Sequence, residues 1–100
     1  MRDSIIVDMK YADLDIINGQ YGVERLGGPN RKKADEDGLW VPLTPEHHRT
    51  GKISAHQSTE VQKLLQIIAQ LSYELNEVSQ GLTVDEARKK FFDRYRKFYI

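Results

Sequence analysis

The chain has 100 residues, with 15 basic and 15 acidic side chains, zero formal net charge and no cysteine. A single domain of this length buries only about two-thirds of the surface that its unfolded chain exposes, so its stability margin is small. The balance of charge excludes a general field that would hold a polyanion, and the lack of cysteine excludes disulfides, thiolate catalysis and zinc sites built on sulfur.

The N-terminal stretch "MRDSIIVDMKYADLDI" has an apolar run of three residues flanked by acids. That is too short for a signal peptide or a membrane span, and a soluble, intracellular protein without membrane contact is expected. In "SIIVDM" the β-branched Ile5, Ile6 and Val7 predict a strand. In "RLGGPNRKKADEDG", Gly27, Gly28, Pro29 and Asn30 predict a tight turn, followed by a charged helix of one or two turns. "LWVPL" predicts a second strand, which Pro42 confines to an edge or a strand end, and Trp40 reads as core.

"TPEHH" reads as a helix start, with Thr44 as cap, Pro45 at the first helical position and Glu46 at the positive end of the dipole. His47 and His48 then fall in the first turn. "STEVQKLLQIIAQLSYELNEV" predicts a long helix, because Val61, Leu64, Leu65, Ile68, Leu71 and Leu75 recur at spacings of three and four, with Thr59 and Gln62 as a capping box. Packing on the rest of the domain accounts for this apolar face, although a partner-helix seam has the same pattern. Gly81 ends the helix, and Thr83 with Glu86 opens another whose Ala87, Phe91, Tyr95 and Phe98 form an apolar stripe. The expected organisation is one domain, 1–100, with residues 1–58 as a mixed part and 59–100 as a helical hairpin.

His47, His48 and His56 are the residue types that bind transition metals, and Glu46 or Asp37 could complete a site for a divalent ion such as zinc, magnesium or manganese. Exposed histidines without a ligand role give the same spacing. Arg31, Lys32 and Lys33, directly after the glycine turn, are placed to contact phosphates, together with Asn30, Arg49 and Lys52, or to contact a protein partner. A solvated loop balanced by Asp35, Glu36 and Asp37 is the plainer alternative. Residues 88–97 carry six bases and one acid interleaved with Phe91, Phe92 and Tyr95, which reads as a core stripe with bases on its outer face.

Taken in order, "GGPNRKKADEDGLWVPLTPEHHRTGKISAHQS", "EVQKLLQIIAQLSYE" and "FFDRYRKFYI" resemble small phage-encoded HNH nucleases from about residue 23 to the end. The resemblance implies an α+β fold, a small ββα-metal core with two C-terminal α-helices. It also implies that His47 or His48 matches the helix histidine cluster, His56 the family's "VH" element and Asn30 the loop asparagine. In that family a histidine at the end of the first strand activates water, and helix histidines hold the metal that stabilises charge on the scissile phosphate.

The first histidine pair has no counterpart, because this chain reads "VERLGGPNRKK" where the family has two histidines before the glycines. The family's zinc-binding cysteines are absent too, with Ala12 and Asp13 in one region and Thr44 in the other. Loss of a general base removes about two to four orders of magnitude in rate. The expectation is therefore a nuclease-dead, phage-derived protein of the bacterial cytoplasm that inhibits a host defence nuclease by binding. An anti-CRISPR protein that blocks DNA loading or cleavage by a CRISPR effector is the example. The alternative is a metal-dependent DNA endonuclease with Glu24 or His47 as base, for which DNA is the partner, and a blander one is a structural accessory that holds one metal for stability.

Overall fold

The computed structural model describes residues 2–26, 31–51, 54–55 and 57–100, and at Arg25, Leu26, Arg31, Arg49 and Thr50 it describes the backbone alone. The chain is α+β. Strand β1 (Glu24–Leu26) pairs antiparallel with β2 (Val41–Leu43), and helix α1 (Arg31–Asp37) lies between them in sequence. One wide helical turn (Glu46–Thr50) follows β2, and then come α2 (Thr59–Ser79) and α3 (Val84–Tyr95). Among the described residues no helix is long and apolar enough to cross a membrane.

The predicted strand at Ile5–Val7 is not formed. The Ser4 hydroxyl accepts from the backbone N–H of Ile6 and of Val7 and donates to the Trp40 carbonyl at 2.8 Å. A serine side chain that takes its neighbours' amides offers the backbone an alternative to a strand ladder. The N-terminal stretch is instead laid along residues 38–42 by separate bonds, from Ile5 N–H to the Gly38 carbonyl, from Ile16 N–H to the Pro42 carbonyl and from the Trp40 indole to the Arg2 carbonyl. Gly38 ends α1 at φ +72°, where a Cβ would lie 2.6 Å from the Asp3 carbonyl oxygen, so only glycine lets the two segments approach.

Strand β2 forms as expected and is buried at all three residues, Pro42 facing Arg25 across the ladder. The helix start at "TPEHH" differs from expectation in its cap. Thr44 accepts from His47 N–H and His48 N–H through its backbone carbonyl, but its hydroxyl donates to Asp15 and does not cap. The turn closes through a bond from Gly51 N–H to the Glu46 carbonyl, five residues back, which is π-helical spacing.

Helix α2 is capped by Ser58, one residue before the predicted Thr59, its side chain accepting from Val61 N–H. The Thr83–Glu86 capping box of α3 is formed in both directions. Phe91 lies 1% exposed between Tyr73, Tyr95 and Tyr99, with Ala34 and Leu39 in the same cluster. Phe98, predicted in this stripe, stands outside it, stacked with Phe92 and lying under Arg88. A smaller cluster joins Val41, Leu43 and Ala55, with Leu65 packed against it.

The face that α2 turns inward is the predicted one only in part, since Leu65 packs inward while Val61 and Ile68 are half-buried. Gln70 and Tyr73 are its buried residues, whereas Leu64, Leu71 and Leu75 are exposed. Burial of Gln70 is tolerated because its amide donates to Glu74 and accepts from Tyr99 N–H, which leaves no polar group unpaired.

Candidate site at the adjacent histidines

His47 and His48 are successive residues of the wide turn, so their side chains leave it in different directions, roughly a quarter turn apart. Both are buried, at 6% and 7% exposure, which corrects the reading of them as exposed turn residues. Each meets a different carboxylate from an earlier part of the chain. His47 Nδ1 lies 2.8 Å from Asp15 Oδ2, and His48 Nδ1 lies 2.8 Å from Glu24 Oε1. The Ala55 N–H donates to the His47 carbonyl, which ties the turn to the segment that follows it.

Asp15 is the centre of the first pair. Its Oδ1 accepts from the N–H of Ile17 and of Asn18, and its Oδ2 accepts from Thr44 N–H, the Thr44 hydroxyl and His47. Burial works to raise the Asp15 carboxyl, but the bonds from Thr44 N–H, His47, the Thr44 hydroxyl and Ile17 N–H outweigh it and hold the group down at about 2. Asp15 is thus ionised at neutral pH and can only accept. The His47 Nδ1 must carry the proton, which fixes the tautomer and leaves Nε2 as the nitrogen with a lone pair when the ring is neutral.

Glu24 opens β1, and its contact with His48 ties that strand to the turn after β2. A carboxylate behind Nδ1 is the arrangement that orients metal-binding and proton-transferring histidines in general. Glu24 lies against the His48 ring rather than apart from the histidines. Sequence reasoning missed Asp15 altogether. Of the acids it offered, Glu46 is exposed in the same turn as the histidines, and Asp37 accepts from Arg94 Nε and the Tyr95 hydroxyl.

Of the residues predicted to contact nucleic acid or a partner, Lys32 is exposed on α1. Lys33 is engaged, its ammonium donating to the Arg94 carbonyl at 3.1 Å. Asn30, Lys52 and His56 lie outside the described residues, as do the side chains of Arg31 and Arg49. Two of the acids of α1 bond to α3, with Arg94 bridging Glu36 and Asp37 at 2.7 and 3.1 Å.

Among the described residues no three histidine or carboxylate side chains converge to hold a metal ion. No known protein family, curated protein or solved structure matches this chain.

Proposed function

We propose that this chain is a degenerate relative of the small phage HNH nucleases, a ββα-metal frame that has given up hydrolysis and acts by binding. In this reading it is phage-encoded, works in the bacterial cytoplasm and blocks DNA loading or cleavage by a host defence nuclease such as a CRISPR effector. What supports the loss of hydrolysis is the missing histidine pair in "VERLGG", beside which Glu24 contacts His48 at 2.8 Å. Glu24 is the acid the sequence offers in place of the missing histidine base, and a carboxylate engaged by an imidazole is an orienting group. Zero net charge supports a protein partner over bare DNA, whose non-specific binding rests on several phosphate contacts.

One divalent ion, zinc, magnesium or manganese, belongs to the proposal, with His47, His48 and His56 as its ligands. Such an ion stabilises the folded chain by mass action. The test is incubation of the purified protein with supercoiled plasmid and magnesium or manganese, alongside a cleavage assay of a purified CRISPR effector with the protein added. An intact plasmid and an inhibited effector are expected. Metal-dependent nicking overturns the proposal.

A second reading, a metal-dependent DNA endonuclease, is favoured by the Asp15–His47 pair. A buried carboxylate that holds Nδ1–H presents Nε2 as a general base. Cleavage that needs magnesium or manganese and is lost in the H47A/H48A double variant is its signature.

A further inference from the structure

In α2, Val61, Leu64, Ile68, Leu71, Leu75 and Val78 follow one another at spacings of three, four, three, four and three, the a/d pattern of a coiled-coil seam. Leu64, Leu71, Leu75 and Val78 of this seam face away from the domain, and Val61 and Ile68 are half-buried at its edge. Ala69 and Tyr73, on the opposite side of the helix, pack with the Phe91 cluster, and Gln70 is fully buried beside them. Leu64 remains 56% exposed, Leu71 49%, Leu75 72% and Val78 36%. A helix that sets Gln70 inward and Leu64, Leu71 and Leu75 outward has left much of its apolar surface uncovered, and contiguous exposed apolar surface of this kind marks an interaction site.

We propose that a second copy of this chain covers the seam, with the two α2 helices antiparallel about a two-fold axis. In that register Val61 meets the partner's Val78, Leu64 meets the partner's Leu75 and Ile68 meets the partner's Leu71. Every layer is then apolar on both sides. Lys63 comes beside the partner's Glu74, while Glu60 lies next to the partner's Ser79, so opposite charges pair along the flank and no like charges face each other. The antiparallel arrangement also sets the helix dipoles head to tail.

The area suffices. A helix of 21 residues is about 31 Å long, and pairing two of them along a full seam buries on the order of 1,000 Å² in total, the size at which an interface becomes specific. The dimer does not depend on the proposed function, because the histidine turn lies outside α2.

The test uses the full chain. Sedimentation equilibrium across the micromolar range is expected to give twice the 11.6 kDa chain mass. The L71E/L75E double variant is expected to weaken self-association by at least about tenfold, with an unchanged far-ultraviolet circular dichroism spectrum, because both side chains are exposed in the single copy. The chain has no cysteine of its own, so L64C and L75C report orientation. The two variants mixed are expected to form a disulfide-linked pair, and either alone is not. A monomer at all concentrations overturns the proposal, as does a dimer that ignores L71E/L75E, or one in which L64C crosslinks to itself.

Discussion

Asp15 and His47 stand 32 residues apart in sequence and 2.8 Å apart in space. That single contact fixes a tautomer, buries a carboxylate and ties the irregular N-terminal segment to the turn after β2. Whether the turn serves metal binding, proton transfer or recognition, the orientation of its first histidine depends on an acid that the histidine motif does not contain.

Acid should weaken the fold through this residue. The Asp15 carboxyl is held at about 2 in the folded chain, against an ordinary value of 3.8. Its folded value is depressed, so its contribution is fully present above the unfolded value and is lost as pH falls through 3.8 towards about 2. That contribution is roughly 2 kcal/mol. Urea unfolding followed over this window should show the loss in the parent chain and a flatter profile in Asp15→Asn, which has no charge to lose.

Replacement of Glu24 should act on His48 more than on stability. The Glu24 side chain is 30% exposed, so Glu24→Ala is expected to lower stability by only about 1 kcal/mol or less. The His48 ring, released from its carboxylate, is expected to lose its single tautomer. Nitrogen NMR of the imidazoles reads both rings at once, and His47 should keep its Nδ1–H signature in the same spectrum.

The α1–α3 contact should behave as a coupled unit. Tyr95→Phe removes the hydroxyl that donates to Asp37 at 2.6 Å and is expected to cost about 1 kcal/mol. Arg94→Ala breaks the bridge to Glu36 and Asp37 at the partly exposed edge and is expected to cost about 1 kcal/mol as well. Because both side chains share Asp37, the double variant should depart from the sum of the two in chemical denaturation.

What the sequence made legible was local. The Thr83–Glu86 box, the turn at Gly81, the strand at Val41–Leu43 and the burial of Trp40 each rest on signals within a few residues, and each formed. The strand at Ile5–Val7 failed because one serine hydroxyl claimed two of its amides. The inward face of α2 was legible only in part, with Leu65 packed inward and Leu64, Leu71 and Leu75 outside, because a period of three and four shows that a helix has an apolar face but not what that face meets. Asp15 could not be found from spacing, since nothing local links it to a histidine 32 residues away. The partners of Asp37, Arg94 and Tyr95, could not be read locally either, because they belong to the far end of the chain.

The wide turn closes only because Gly51 leaves room. A Cβ there would lie 2.7 Å from the Glu46 carbonyl oxygen that accepts the closing bond. For anyone who wished to transplant "TPEHHRTG" into another scaffold, the motif carries its own hinge but not its aim. The graft would bring two imidazoles free to choose their tautomer, and would need an acid built in behind each ring. In this chain, by the same logic, substitutions at Asp15 and Glu24 retune the histidines without touching them.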